Sequence, residues 1–329
     1  MAVSIITVPP GTVEADFPLL LGQPAETLRR GGLVAFPTET VYGLGVDALN
    51  QHAVRRVFIA KGRPADNPLI VHLPDQTWID RVVSDFTPLA RDLADRFWPG
   101  PLTLVLAARP DVPSATTAGL GTVAVRIPDS ALARTLIGLA GTPVAAPSAN
   151  VSGRPSPTTA AHVHADLSDR IDWIIDGGRC AVGIESTVID ARGTRPVILR
   201  EGGITREMLG VDDAEPGDPA RSPGTRHSHY QPMARVVIAP AGRSVRTANA
   251  LADRGSVGLV GPDDDGVDPR VTLLSCPIGA EELAAVLYGS LREADARHLD
   301  LIVVEEVPTT GVGRAVMDRL HRARGQDLA

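Results

Sequence analysis

The sequence contains few of the residues that mark secreted, membrane-spanning or nucleic-acid-coating proteins. Its 329 residues include two cysteines, Cys180 and Cys276, and no CxxC pair, which predicts a cytoplasmic protein without a disulfide framework or a structural zinc site. No run of about 18 apolar residues is present, so a membrane-spanning helix is excluded, and the N-terminus lacks the pattern of a signal peptide. The net charge of −7 argues against a general nucleic-acid coat protein.

Aromatic residues and lysine are also scarce. Aromatics make up 3% of the chain, which leaves few platforms on which nucleic-acid bases could stack. Lys61 is the only lysine, beside 31 arginines. The codon preference of a GC-rich genome would explain the arginine excess, whereas a need for one compact ammonium would explain the retained lysine. Composition alone leaves both interpretations open.

Alternating strand-like and helix-like patterns predict an α/β fold. The apolar, β-branched runs predict strands in the first two-thirds at 4–8, 33–36, 69–73, 102–107, 122–127, 144–146, 171–175, 187–189 and 197–199. The helical patterns between them lie at 25–30, 51–60, 88–97, 131–139 and 159–167. Many strands with interspersed helices favour a sheet with helices packed on it.

A polar segment then divides the chain. Residues 211–231 are rich in Pro, Gly, Asp and Ser and have no apolar period, which indicates a linker. After it, strands predicted at 236–239, 257–260, 271–274 and 301–304 alternate with helices at 244–253, 280–297 and 314–322. The sequence therefore predicts a first α/β domain over 1–210, a linker or lid over 211–234 and a C-terminal α/β domain over 235–329.

Five loop segments combine polar side chains with Gly and Pro at strand ends. They are FPTETVYGLG (36–45), KGRPADNPLIVH (61–72), GTVAVRIP (121–128), APSANVSGRPSPT (146–158) and GIESTVIDARGTRPVILREGG (183–203). Lysine and arginine two apart can hold phosphates from a rigid turn, and Arg126 on a strand face needs an anionic partner. No P-loop, metalloprotease motif, nucleophilic triad or Cys/His pair is present. This inventory is typical of binding and aligning anions, as nucleotidyl transfer requires, with Mg²⁺ carried by the nucleotide.

Taken together and in order, the segments PTETVYGLG, KGRPADNPLIVH, WPGPLTLVL, TVAVRIP, APSANVSGRPSPT, ESTVID and ILREGG resemble the YrdC-like threonylcarbamoyl-AMP synthases. SPGTRHSHYQP and GVGRAVMDRLHRA resemble the long, two-domain form. The resemblance implies a twisted mixed sheet with an open groove, followed by a small Rossmann-like domain. It also implies synthesis of L-threonylcarbamoyladenylate from L-threonine, bicarbonate and ATP, with release of pyrophosphate. Downstream threonylcarbamoyl transferase proteins would use the product to modify the adenosine beside the anticodon of tRNA.

The same resemblance implies a role for individual residues. Those implied for L-threonine are Thr40, His72, Arg126, Ser186 and the backbone at Ala146. Those implied for ATP are Lys61, Arg63, Asn67, Thr122, Ser148, Asn150, Ser156, Arg200 and, from the linker, Tyr230. No residue is implied as a covalent catalyst or as a protein ligand of a metal. With this resemblance, function becomes the favoured explanation for the single lysine.

The chain departs from the family pattern at two places. Ala65 stands where a serine is expected after KGRP, which predicts one missing hydroxyl contact to ATP, and the linker is less basic than usual. The alternative function is a non-catalytic YrdC-like module that holds RNA in its groove, which the local cations of residues 51–65 favour and the acidic net charge disfavours. A carbamoyl-transfer maturation factor would share the module, but its acylphosphatase and zinc-finger segments are absent from the sequence.

Overall fold

A computed structural model of the protein describes residues 3–211, 230–262 and 266–325, in two compact units. The first unit comprises residues 1–152, 157–181 and 185–226, and the second comprises residues 153–156, 182–184 and 227–329, each within the described ranges. Two short loops of the first two-thirds of the sequence thus belong to the second unit. No helix within the described ranges combines the length and apolar character needed to cross a lipid bilayer.

The first unit is built on a mixed sheet of eleven strands. These strands are β1 (Ser4–Thr7), β2 (Val34–Pro37), β3 (Tyr42–Asp47), β4 (Ile70–His72), β5 (Val83–Asp85), β6 (Leu102–Ala108), β7 (Thr122–Arg126), β8 (Val144–Ala145), β9 (Trp173–Asp176), β10 (Thr187–Asp190) and β11 (Val197–Arg200). Their order across the sheet is β1-β9-β2-β3-β8-β4-β7-β6-β10-β11, with β5 paired to β6. Parallel and antiparallel pairs are mixed, as the resemblance implied.

Helices cover this sheet and form its hydrophobic cores. They are α1 (Phe17–Arg29), α2 (Gln51–Lys61), α3 (Pro88–Phe97), α4 (Ser114–Thr117), α5 (Ala131–Ala140), α6 (Ala160–Leu167) and α7 (Arg206–Leu209), with 3₁₀ turns at Glu14–Asp16 and Gln76–Arg81. One core packs α1 and α5 on β2 and β9, and a larger core packs the strands against α2, α3 and α6. Burial of apolar side chains therefore stabilises the sheet, so the polar residues at the strand ends are not needed for that purpose.

Local sequence sets the ends of the helix that carries Lys61. The Asn50 side chain accepts hydrogen bonds from the backbone N–H of His52 and Ala53, both at 3.1 Å, and so caps the start of α2. Gly62 ends the helix at φ = 60°, a left-handed conformation that glycine adopts without strain. Because the helix ends there, Lys61 lies at the boundary between a rigid helix and a loop.

The second unit contains a parallel four-stranded sheet. Its elements are β12 (Arg235–Ala239), α8 (Ser244–Leu251), β13 (Val257–Val260), β14 (Val271–Ser275), α9 (Gly279–Ala296), β15 (Leu301–Glu305) and α10 (Gly313–Arg324). The strand order is β12-β15-β13-β14, and every pair is parallel. Alternating strands and helices with a wholly parallel sheet are the Rossmann-like arrangement predicted for this part of the chain.

The two loops that join the second unit are held by helix α9 and by the segment that precedes β12. The Arg292 side chain on α9 donates to the Pro155 carbonyl oxygen from Nη2 at 2.6 Å and from Nε at 3.1 Å. The Gln231 backbone N–H donates to the Gly153 carbonyl oxygen at 2.8 Å. A Cβ atom at Gly183 would lie 2.4 Å from the Ala284 carbonyl oxygen, so only glycine permits this close approach to α9.

Candidate active site

The residues predicted to bind L-threonine lie where strands of the first unit begin or end. In the parallel pair of β4 and β7, His72 lies directly opposite Arg126, so the last residues of the two strands are neighbours. Thr40 follows β2 in the turn that leads into β3, and Ser186 immediately precedes β10. The strand pairing and the turn after β2 thus bring the imidazole, the guanidinium and the Thr40 hydroxyl together.

Arg126 is the centre of this group and is almost completely buried, at 3% exposed. Its Nη1 donates to the Thr40 hydroxyl oxygen at 2.9 Å, and its Nε donates to the Gly100 carbonyl oxygen at 3.1 Å. Its Nη2 lies 2.6 Å from Oε1 of Glu39. The anion that the sequence required for Arg126 is therefore, in this structure, a carboxylate of the protein itself.

The ion pair between Arg126 and Glu39 is buried but incompletely hydrogen-bonded. The Glu39 side chain is 9% exposed, and both of its carboxylate oxygens lack a hydrogen-bond partner of acceptable geometry among the described residues. Nη2 of Arg126 also lacks one, because its short contact with Glu39 has the distance of an ion pair without the angles of a hydrogen bond. Buried polar atoms without well-formed hydrogen bonds are rare, and strain, a catalytic role, or a bound water or ion accounts for them.

His72 is held uncharged beside this pair. Burial and the neighbouring Arg126 guanidinium lower the pKa of His72 from 6.5 to about 3. Its Nδ1 lies 3.2 Å from the Ile70 carbonyl oxygen, a position from which a protonated Nδ1 donates to that oxygen. A neutral imidazole adds no positive charge next to Arg126, so an ammonium group can approach without repulsion from His72.

Hydroxyl groups form a second polar cluster between β6 and β10. The Ser186 hydroxyl lies 2.8 Å from the Thr103 hydroxyl, and both side chains are buried. Arg200, at the end of β11, donates from Nη2 to the Ser186 carbonyl oxygen at 2.8 Å and to its hydroxyl oxygen at 3.2 Å. Ser186, predicted for threonine, and Arg200, predicted for ATP, are therefore in direct contact.

Lys61 lies deep in the first unit rather than at its surface. It is 1% exposed, and its Nζ donates to the carbonyl oxygens of Ser148 and Asn150, each at 2.5 Å. The Ser148 hydroxyl donates to Oδ1 of Asn150 at 2.6 Å. One compact ammonium therefore fixes the loop that carries two of the predicted ATP residues, a geometry that a planar guanidinium does not reproduce.

The other predicted residues of the first unit flank this loop. Arg63 donates from Nη2 to the Pro68 carbonyl oxygen at 3.1 Å and from Nε to the carbonyl oxygen of Asn67 at 3.4 Å, which closes the turn after α2. Thr122 begins β7, on the strand that ends in Arg126. Ala146 follows β8, and its backbone N–H donates to the Ile70 carbonyl oxygen at 2.9 Å.

Two of the predicted ATP residues belong to the second unit. Ser156 is 1% exposed and lies in the loop 153–156. The Tyr230 ring stacks on Tyr288, with ring centroids 5.3 Å apart, and the Arg319 guanidinium lies 5.8 Å from its centroid. Residues 212–229 of the predicted lid lie outside the described residues, so the lid and the contact of Tyr230 with ATP stay predictions.

Sequence reasoning missed Glu39 and Thr103 as members of these clusters. Glu39 lies between Thr38 and Thr40, and only the predicted need of Arg126 for an anion points to its carboxylate. Thr103 lies inside a continuous apolar strand pattern, LTLVLAA, and no local signal distinguishes it from a core residue. Its contact with Ser186 depends on the pairing of β6 with β10, which the sequence does not specify.

The fold and these clusters define an α/β protein in which a buried guanidinium, a neutral imidazole and hydroxyl groups lie at the ends of neighbouring strands. Residues 26–202 match the family described as "Telomere recombination" (Sua5_yciO_yrdC), and residues 195–325 match "Threonylcarbamoyl-AMP synthase, C-terminal domain". The chain is 44% identical to the threonylcarbamoyl-AMP synthase of Bacillus subtilis, over 93% of each chain. It is also 44% identical to the threonylcarbamoyl-AMP synthase of Pyrococcus abyssi, over 91% of this chain and 92% of that one.

A solved structure agrees with these matches. The crystal structure of Pyrococcus abyssi Sua5 complexed with L-threonine superposes with a TM-score of 0.89 at 42% identity, over 98% of this chain and 97% of that chain. The chain therefore belongs to the threonylcarbamoyl-AMP synthase family.

Proposed function

We propose that the protein synthesises L-threonylcarbamoyladenylate from L-threonine, bicarbonate and ATP and releases pyrophosphate. The observation that carries this proposal is the buried Arg126 guanidinium, which has a neutral His72 and the Thr40 hydroxyl at its side. Family membership supports the same activity, because the relatives from Bacillus subtilis and Pyrococcus abyssi carry the name of this synthase. ATP and free threonine are cytoplasmic metabolites, so we place the reaction in the cytoplasm.

The amino-acid end of the site suits a zwitterion. A guanidinium binds a carboxylate through two parallel N–H donors, and Nη2 of Arg126 lacks a hydrogen bond in this structure. The Glu39 carboxylate supplies negative charge for the substrate ammonium, and the neutral His72 adds no competing positive charge. Thr40 and Ser186 provide hydroxyl groups of the kind that recognise a substrate hydroxyl.

The nucleotide end positions reacting atoms without a covalent intermediate on the protein. The threonine nitrogen attacks the carbon of bicarbonate, and water leaves to give a carbamate. A carbamate oxygen then attacks the α-phosphorus of ATP, and the bond from that phosphorus to the pyrophosphate oxygen breaks. The ATP residues predicted for this step in the first unit are Lys61, Arg63, Asn67, Thr122, Ser148, Asn150 and Arg200.

Mg²⁺ enters this proposal as part of the MgATP substrate, bound to the phosphate oxygens. Charge neutralisation by such an ion and by the cations of the site is the main requirement of nucleotidyl transfer. The product is a mixed anhydride of a carbamate with AMP, which water hydrolyses. We therefore expect transferase proteins that act on tRNA to consume it soon after its release.

The experiment is a pyrophosphate-release assay with the full-length protein. Release should require L-threonine, bicarbonate and ATP together, and the omission of any one should abolish it. An Arg126→Ala variant should need far more L-threonine, whereas an Arg55→Ala variant, which removes an exposed arginine of α2, should behave as wild type. Absence of release with all three substrates would instead favour the non-catalytic RNA-binding module.

A further inference from the structure

An open groove in the second unit concentrates positive charge. It has a volume of about 880 Å³ and lies between α8 and the outer strand β12. Four exposed arginines line it, and we call them the arginine groove: Arg235, Arg243, Arg246 and Arg254. This concentration contrasts with the net charge of −7 for the whole chain.

The four arginines make no side-chain hydrogen bond or ion pair with the described residues. Arg270 of the same unit, in contrast, forms ion pairs with acidic side chains. Its guanidinium binds Asp253 at 2.6 Å and Asp268 at 2.8 Å. Among the described residues that line the groove, Asp300 is the single acid, and its Oδ2 accepts hydrogen bonds from the Ser256 backbone N–H and hydroxyl, both at 2.8 Å. The positive charge of the groove is therefore not neutralised from within.

Two of these arginines lie at the N-terminus of helix α8, where a positive charge is unfavourable. Arg243 is the residue that precedes α8, and Arg246 lies in its first turn, which contains no acidic residue and no side-chain cap. Cations near a helix N-terminus are destabilising, because the helix dipole is positive there. An anion bound in the groove would reverse this penalty for both residues.

We propose that the arginine groove docks the phosphodiester backbone of RNA. Phosphate oxygens only accept hydrogen bonds and arginines only donate them, so the two sets match without leaving a polar group unpaired. An acidic peptide would also bring backbone N–H groups into a groove whose remaining lining is largely apolar, such as Val237, Leu251 and Leu301. The arginines are exposed and spread along the lining rather than converging in a buried pocket, which suits a chain of phosphates better than one small phosphate.

The groove also predicts how RNA is recognised. Its lining contains no aromatic side chain, so bases have no stacking platform among these residues. Contacts to phosphates position a nucleic acid but carry no sequence information. Binding should therefore be weak, independent of sequence and strongly dependent on salt. This inference goes beyond the proposed synthesis, because none of the four arginines belongs to the candidate active site.

The test measures the affinity of the full-length protein for a fluorescent RNA hairpin at 50 and 200 mM salt. Four phosphate contacts, each adding about 0.9 to the logarithmic salt slope of a duplex, predict roughly 100-fold weaker wild-type binding at the higher salt. The double variant Arg243→Ala/Arg246→Ala keeps two contacts, so its affinity should fall only about 10-fold over that range and start lower. The matched control Arg270→Ala/Arg297→Ala removes the same charge from paired surface arginines and should keep the wild-type slope.

Each remaining outcome decides the proposal. It is overturned if the wild type binds no hairpin at 50 mM salt, if both double variants show the same slope, or if polyglutamate competes as well as unlabelled RNA. Retention of the wild-type slope by Arg243→Lys/Arg246→Lys supports it, because charge rather than fold is then being measured. Unchanged pyrophosphate release in Arg243→Ala/Arg246→Ala separates this result from a failure of the proposed synthesis.

Discussion

Replacing Arg126 should raise the KM for L-threonine. The experiment needs a control for the second effect of the replacement, which is to remove the ion-pair partner of Glu39. The Arg126→Met variant keeps most of the side-chain volume and removes the guanidinium. It also leaves the Glu39 carboxylate buried and without its ion-pair partner. Breaking one side of a buried ion pair costs about 3–5 kcal/mol of stability, so the single variant alone would mix a folding defect with a binding defect.

A double-mutant cycle separates the two effects. Replacing both partners, as in Arg126→Met/Glu39→Leu, removes the buried charges together, and such replacements are often neutral for stability. We expect the double variant to recover at least about half of the unfolding free energy that Arg126→Met loses. Chemical denaturation of the wild type, both single variants and the double variant would measure this recovery.

Substrate dependence should not recover with stability. A charge-assisted hydrogen-bonded contact contributes about 1.5–3 kcal/mol, which corresponds to roughly a 10- to 100-fold increase in KM for L-threonine. Both variants that lack Arg126 should show at least this increase, and the double variant should exceed it because it also lacks the carboxylate proposed for the substrate ammonium. KM for ATP should stay within about threefold of wild type in both. If the double variant regained wild-type KM for threonine, the effect of Arg126 would be structural. If KM for ATP rose instead, the two substrate sites would have been assigned the wrong way round.

Three further changes test the rest of the site. Lys61→Arg keeps the charge but overfills a buried position, so it should leave ATP use at least about 10-fold impaired, and wild-type kinetics for ATP would contradict the role of a compact ammonium. The pKa of His72 is about 3 when folded, so only the unfolded chain takes up this proton between pH 6.5 and 3, and wild-type stability falls as the pH drops through that window. Between pH 6.5 and 5.0, His72→Gln should therefore lose about 1–2 kcal/mol less unfolding free energy than wild type, as denaturation at both pH values would show. Thr103→Val removes the hydroxyl partner of Ser186 and should raise KM for threonine roughly 3- to 10-fold without changing the melting temperature by more than a few degrees.

Most elements could be predicted because their apolar periodicity is local. The helix Pro88–Phe97 and the strand Val257–Val260 have the predicted bounds. The strand Tyr42–Asp47 was missed because two glycines interrupt its pattern. Gly45 is required there, since a Cβ atom would lie 2.7 Å from the Phe36 ring, so the residue that permits close strand packing also hides the strand. Helix α1 begins at Phe17, earlier than predicted, because Pro18 and Pro24 obscure its helical period.

The sequence allows the candidate residues of the site to be named, but it does not predict the contacts between them. The family resemblance implied which residues bind L-threonine, but the neighbourhood of His72 and Arg126 follows from a parallel register that no single motif encodes. The same holds for Glu39, whose partner is 87 positions away along the chain, and for the burial of Lys61 on two carbonyl groups. The type of each side chain can be read from the sequence, whereas the pairing of charges depends on which strands are neighbours in the sheet and in which register. The domain boundaries and the individual substrate contacts stay predictions.

The loop 153–156 has a consequence for how the chain matures during synthesis. Its Pro155 carbonyl receives hydrogen bonds from Arg292, which lies 137 positions later in the sequence. At a synthesis rate of about 5–20 residues per second, the loop leaves the ribosome roughly 7–30 s before this partner exists. Throughout that interval the loop 153–156, which belongs to the second unit but precedes most of it in the sequence, lacks these hydrogen bonds, and a fragment ending at Gly210 never acquires them. Late-synthesised residues thus complete a segment that early-synthesised residues began, so we expect the nascent N-terminal part to depend on chaperones until α9 has been made.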